Sequence, residues 1–321
     1  MTITAFYLRI IRRVGFLNKY AQSVIRKKVM GVKSREKLNK WYNKRNIDEK
    51  VVFQNIFCKI FRNTNTTIED GLWTVNFMGK EIVLPLKKES SWLDWDNAVS
   101  IVAHDPDVKI TYENLLSRDK KIKTFFDIGA NYGTHSMLFL SQGIRTISFE
   151  PNPGLKIQFE NLCQLNNLAG NMESYAIGDT KGAVNLFFPT DATWLGTIVN
   201  SEVDFLKGSH ELQKIEVPLI TLDEYVQTHK IQPDLIKIDT EGNEINVLRG
   251  ATEVIKNGHP LIVFESNSPK GRKEIWTFFN ECKYKVYDLP FGNSSQLPLP
   301  GEEFFNSQKF NFIAVPEQLP V

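Results

Sequence analysis

The pattern of apolar positions changes character twice along the chain. Through about residue 62, Phe6, Ile10, Val14 and Leu17 recur at helical spacing among basic side chains, which predicts a mostly helical stretch. Residues 72–86 read as two short strands around a Met78-Gly79-Lys80 turn, and a helical, partly aromatic stretch follows through Leu116. Beyond Lys121, short β-branched or aromatic runs alternate with helical patterns, the rhythm of a parallel sheet with crossover helices. The predicted strands are 123–127, 146–150, 172–178, 234–239, 260–265, 284–288 and 311–315. Predicted helices fall at about 131–142, 154–166, 242–257 and 270–282. The one from 242 rests on Ile245, Leu248, Ala251 and Ile255, with Gly258 as its stop. The expected organisation is a basic helical extension over 1–70, a β-hairpin and connecting segment over 71–104, and an α/β domain over 105–321.

Composition narrows the class. With 321 residues, 42% hydrophobic and 24% charged, the chain can bury a core without disulfide or metal staples. Cys58, Cys163 and Cys282 form no CxxC or Cys/His cluster, so no metal is expected and free thiols fit best. The run from Ala5 is broken by Arg9, Arg12 and Arg13, and no small-residue cleavage site follows it. No apolar run approaches the ~20 residues of a membrane span. A cytoplasmic location is the expectation.

Charge is distributed unevenly. Residues 1–50 hold 14 Lys/Arg against 3 Asp/Glu, a charge of +11, while the remaining residues carry −9. A basic amphipathic helix either packs on its own domain with a solvated face or makes peripheral contact with an anionic membrane. A nucleic-acid partner is not expected, because no aromatic-rich basic motif accompanies the charge.

The chemistry concentrates at predicted strand ends. In Phe125-Phe126-Asp127-Ile128-Gly129-Ala130-Asn131-Tyr132-Gly133 a strand ends at an acid and turns through two glycines into a helix. Open parallel sheets bind ligands outside the carboxyl ends of their strands. The pattern is D-x-G-x-N-x-G, not the G-x-G-x-x-G of a dinucleotide site. A carboxylate there repels a pyrophosphate and favours a cationic ligand such as S-adenosylmethionine, with its sulfonium and ammonium. Glu150 closes the next strand, where an acid can hold both ribose hydroxyls. Asp179, Asp239 and Glu265 end three further predicted strands, so five carboxylates are expected on one sheet edge.

The segments Asp127–Gly133, Phe149-Glu150-Pro151, Val217–Asp223, Ile236–Glu244 and Val247–Ala251, in this order, resemble the FkbM family of methyltransferases. The resemblance covers roughly residues 122–270. It implies a class I methyltransferase (Rossmann-like) fold with a seven-stranded, mostly parallel sheet, S-adenosylmethionine as cofactor, and a hydroxyl acceptor on a sugar, glycan or other metabolite. By position, Asp127, Gly129 and Asn131 would line the methionine end, Glu150 would hold the ribose, and Ile177 with Asp179 would sit near the adenine; Gly133, Asn152 and Asp239 are further cofactor-binding candidates. Asp239 and Glu241 would face the methyl and the acceptor, with Glu241 the first candidate for a general base and Asp239 the second. His135 is expected to be a solvated or capping residue, and the loop Trp194-Leu195-Gly196-Thr197 either contacts acceptor or packs the insertion down. No N/D-P-P-aromatic run follows the fourth strand, which disfavours a nucleobase acceptor. Two other readings stay open on the residues alone: a nicotinamide-dependent oxidoreductase, and a cofactor-binding or membrane-docked partner that does not catalyse.

Overall fold

A computed structural model describes residues 3–61, 71–86, 101–118, 122–189, 195–267, 269–292 and 295–318. The chain divides into two compact units, residues 1–109 and 110–321.

In the first unit, four helices (Ile3–Arg13, Gly15–Met30, Val32–Asn43 and Ile47–Phe61) precede an antiparallel hairpin of β1 (Leu72–Phe77) and β2 (Lys80–Pro85). Met78 and Gly79 both take positive φ, +48° and +81°, as a two-residue hairpin turn requires. The hairpin packs on these helices. Asn39 donates from Nδ2 to the Thr74 carbonyl at 2.6 Å and accepts from the Thr74 N–H at 2.8 Å, so one side chain satisfies both backbone groups of a strand residue. Tyr42 packs its ring against Phe53 and Trp73, at centroid distances of 5.2 and 5.4 Å.

The second unit is built on a seven-stranded sheet. Its strands are β3 (Thr124–Ile128), β4 (Arg145–Phe149), β5 (Asn171–Glu173), β9 (Leu235–Ile238), β10 (Leu261–Glu265), β11 (Tyr284–Asp288) and β12 (Asn311–Pro316). They lie in the order β11-β12-β10-β9-β3-β4-β5, all parallel except β12, which is antiparallel to both neighbours. The inner strands are buried on both faces, which explains their nearly unbroken apolar sequence. Along β3, alternation sends Phe125 one way and Phe126 the other. Phe125 stacks on Phe139 of helix Thr134–Ser141 at 3.8 Å. Phe126 and Ile128 join a core with Leu222, Tyr225, Leu248, Ile255 and Phe279, from the helices on the opposite face.

Two predicted elements divide. The strand expected over 172–178 breaks at Ser174-Tyr175. Its first part is β5, and its second, β6 (Ala176–Ile177), pairs with β8 (Leu212–Ile220) in a separate sheet completed by β7 (Gly182–Pro189). The helix expected over 242–257 becomes two, Glu244–Arg249 and Thr252–Gly258. The break falls where the Gly250 carbonyl accepts from the Asp223 N–H at 2.9 Å and the Asp223 carboxylate receives the N–H groups of Glu253 and Val254. A side chain from a distant segment thus caps a new helix start, which the local apolar period does not encode. Gly258 is the last helical residue, followed by His259 at φ +51°.

Candidate active site

β3 delivers Asp127 to the face covered by helix Thr134–Ser141. Asp127 Oδ2 accepts from the Ser136 N–H at 3.0 Å and the Ser136 hydroxyl at 2.6 Å, and Ser136 Oγ lies 2.7 Å from Ser148 Oγ. The other carboxylate oxygen, Oδ1, is buried with no hydrogen-bond partner. Burial raises the pKa of this carboxyl, opposed by Lys237 and Ser136. Past the strand, the chain turns at Gly129, with φ +76°. A Cβ there would lie 1.7 Å from the Asp239 carbonyl oxygen, so only glycine lets this turn abut the end of β9.

Asn131 takes φ +53°, donates its N–H to Glu150 Oε2 at 2.9 Å, and carries a buried side-chain oxygen, Oδ1, without a partner. Glu150 Oε1 accepts from the Asn152 N–H at 2.9 Å. Burial pushes the Glu150 carboxyl up to about 7, against the pull of those two N–H groups. Each of its oxygens has a second lone pair to offer. Asn152 Oδ1 caps helix Pro153–Leu165 by accepting from the Gly154 N–H. Gly133, at φ +72°, is set by packing: a Cβ there would meet the Phe159 ring at 2.2 Å.

A second group of acids forms where β9 and β10 end side by side, with Ile238 paired to Phe264. Carboxylate oxygens of Asp239, Glu241 and Glu265 lie within 4.8 Å of one another. These are oxygen ligands of the kind a hard divalent cation accepts. A protein cation also reaches the cluster: Lys237 Nζ donates to Asp239 Oδ2 at 2.7 Å, and its side chain is 5% exposed. Burial works against the Lys237 charge, but Asp239 and Asp127 outweigh it and hold the ammonium. Neighbouring like charges at this range cannot all ionise freely. Glu241 is pushed up to about 8, by burial first and then by Asp239 and Glu244. Glu265 is pushed up to about 10, by burial, by the charge of Asp239 and by a hydrogen bond to it.

The loop carrying Glu241 is held in an unusual backbone. Glu241 has φ +51° and Gly242 φ +100°. A non-glycine residue in that region costs roughly 1–3 kcal/mol and persists only where surrounding bonds impose it. Here Glu244 Oε1 accepts from the Thr240 N–H, the Thr240 hydroxyl and the Gly242 N–H, at 3.0–3.1 Å. Thr197 Oγ1 donates to the Glu241 carbonyl at 3.0 Å, which ties the 195–199 segment to the same loop.

Several expectations need correction. Asp179 does not stand on the main sheet edge; it follows β6 in the second sheet and is exposed. The main-sheet strand β5 ends instead in Glu173, which accepts from the Tyr225 hydroxyl. Four acids, not five, therefore close the strands of the large sheet at positions the sequence had marked. Ile177 is buried, and its carbonyl accepts from Asn243 Nδ2 at 2.9 Å. His135 is neither solvated nor a cap; it is 8% exposed, with Nδ1 3.0 Å from the Tyr112 hydroxyl. Trp194 lies outside the described residues. Sequence reasoning passed over Lys237, Asn243 and Glu244. For Lys237 a signal existed, a lysine between two isoleucines in a strand buried on both faces, where lysine is rare unless paired.

A turn built for close approach, two buried acceptors without partners, and an acid-lined edge on a sheet of this strand order are features of the class I methyltransferase fold. The acceptors Asp127 Oδ1 and Asn131 Oδ1 suit the ammonium of S-adenosylmethionine, the cofactor of this class. Residues 127–286 match the family model of the methyltransferase FkbM domain. That segment belongs to the FkbM methyltransferase family. The chain is 27% identical over 173 residues to a hexuronic acid methyltransferase of Haloferax volcanii, an alignment covering 53% of this chain and 66% of that protein. Slightly less than two thirds of that relative's length is thus matched. Among solved structures, a methyltransferase FkbM of Methylobacillus flagellatus KT is similar at 14% identity and a TM-score of 0.39, with 72% of this chain and 56% of that chain covered. A 16S rRNA N2 G1207 methyltransferase of T. thermophilus is similar at 9% identity and a TM-score of 0.38, covering 77% and 50%.

Proposed function

We propose that the chain is an S-adenosylmethionine-dependent methyltransferase that methylates a hydroxyl oxygen of a sugar or glycan, with Glu241 as general base. S-adenosylmethionine supplies a methyl group on a sulfonium, a leaving group that departs without protonation. The protein's own task is to align the acceptor oxygen with that methyl, exclude water and take one proton. Asp127 and Asn131 would receive the ammonium, and Glu150 the ribose hydroxyls. Asp179, exposed after β6, stays a candidate only for the adenine edge.

The observation that carries this reading is the meeting of Asp239, Glu241 and Glu265 beside the Gly129 turn. An acid raised to about 8 is well matched to accept a proton near neutral pH, because base strength and the ionised fraction are then balanced. Asp239, paired with Lys237, is the second candidate. The hexuronic acid methyltransferase relative supports a sugar acceptor. A hexuronic acid offers both hydroxyl and carboxylate oxygens. A base at Glu241 favours the hydroxyl, since an acceptor carboxylate is already ionised and has no proton to give up.

Incubating the full chain with S-adenosylmethionine and uronic-acid-bearing oligosaccharides tests the assignment by mass and linkage. A methyl ether that survives mild alkali is the expected product; an alkali-labile methyl ester would move the acceptor to the carboxylate. Glu241→Gln should lower kcat by ~10²-fold or more on a hydroxyl acceptor, with S-adenosylhomocysteine affinity nearly unchanged. Full turnover in that variant would remove Glu241 from the base role.

A further inference from the structure

The first unit carries a surface of a different kind. Residues 1–30 contain seven Lys/Arg and no Asp/Glu, and all seven cations are exposed. On helix Gly15–Met30, spacings of three, four and seven residues set Phe16, Lys19, Tyr20, Lys27 and Met30 along one face, and all five are exposed. Phe16 is 72% exposed and Tyr20 70%. Helix Ile3–Arg13 adds exposed Phe6, Tyr7 and Ile10 beside Arg9, Arg12 and Arg13. A single exposed apolar residue needs no explanation. Four exposed rings within 15 residues, on helices that carry no acid, differ from an ordinary solvated face, where both signs of charge are interspersed.

We propose that the exposed faces of helices Ile3–Arg13 and Gly15–Met30 dock on an anionic lipid bilayer, with the rings at headgroup depth and the cations against lipid phosphates. Aromatic side chains favour that depth because one part of the ring environment is apolar and the other wet. Basic amphipathic helices bind there through buried apolar area and attraction to anionic lipid together. The helices lie on the surface; no helix among the described residues is long and apolar enough to cross a membrane. Cations would also meet the phosphates of a nucleic acid. The exposed non-aromatic side chains Ile10 and Met30 decide for lipid, since they gain from an acyl boundary and nothing from base stacking.

Co-sedimentation of the full chain with vesicles tests this without reference to the methyl acceptor. Binding to phosphatidylcholine vesicles containing about one third phosphatidylglycerol should exceed binding to pure phosphatidylcholine by about tenfold or more at low salt. It should weaken as salt is raised, because the attraction is screened. Lys19→Glu/Lys27→Glu should cut anionic-vesicle binding by about tenfold. Phe16→Ser/Tyr20→Ser should cut it by about fivefold, leaving S-adenosylhomocysteine binding and circular dichroism as in the parent. Should the charge variant fail to fold, the ring variant decides. Equal binding to neutral and anionic vesicles, or undiminished binding by the folded variants, overturns the proposal. So does displacement of the vesicles by a DNA or RNA oligonucleotide that binds more tightly, which would make nucleic acid the partner.

Discussion

At the strand ends of the second unit, Asp239, Glu241 and Glu265 bring their carboxylate oxygens within 4.8 Å, largely out of solvent. Along the first two helices, seven cations, from Arg9 to Lys28, spread over an exposed surface. Both regions concentrate one sign of charge, and the difference is burial. Near the sheet edge, desolvation and close neighbours raise the proton affinities of Glu241 and Glu265. On the helices, water and salt screen each cation, so their effect is a summed field acting on a large charged partner. Buried like charges thus make chemistry at one point, whereas exposed ones make adhesion over an area.

The largest effect is expected where the two halves of the buried site touch. Gly129→Ala would place a Cβ 1.7 Å from the Asp239 carbonyl oxygen at a positive φ. Parting β3 from β9 should destabilise the second unit by at least ~3 kcal/mol, the scale of severe core damage. Denaturant unfolding should show this, with S-adenosylhomocysteine binding abolished; a variant of native stability and affinity would refute the close approach. Next come Asp127→Ala and Glu150→Ala. Each should weaken S-adenosylhomocysteine binding by ~1–3 kcal/mol, the cost of losing charge-assisted hydrogen bonds, as read by calorimetry.

The pH dependence sharpens the contrast between buried and exposed charge. A base must be ionised, so turnover should climb with pH and level above about 8, the value to which burial and Asp239 push Glu241. Stability should run the other way. The folded chain keeps the Glu241 proton where the unfolded chain has lost it, so this contribution is complete below about 4.5 and fades as pH rises through about 8. Glu150, raised to about 7, adds the same sign. Unfolding titrations between pH 5 and 9 should show a slope that Glu241→Gln makes shallower. The smallest effect belongs to the exposed helices: Lys19→Ala and Lys27→Ala should each change folding stability by less than ~0.5 kcal/mol, although both contribute to vesicle binding.

Much of the site was legible because its residues are consecutive. Asp127, Gly129, Asn131 and Glu150 sit at strand ends that apolar runs define, and the spacing D-x-G-x-N-x-G reports a tight turn by itself. Asp239 and Glu241 follow the same logic after β9. Glu265 was visible as an acid closing a strand, but its place beside Asp239 depends on β9 and β10 pairing in register. Lys237 stood out as a lysine in a buried strand, but Asp127, its neighbour across the strand pair, comes only from the pairing of β3 with β9.

The sequence alone determined the alternation of strands and helices after residue 121, the acid-ended strands, the turn that only glycine permits, and the one-sided charge of the first 50 residues. These depend on backbone preference, periodicity and counting, which are properties of neighbours along the chain. Tertiary structure decided the rest. It moved Asp179 to a second sheet, ended one helix early through Asp223, used Glu244 and Thr197 to hold Glu241 at a positive φ, and brought separate carboxylates into one cluster. Each of these depends on contacts between residues far apart in sequence, where burial and distance fix the energy of a charge.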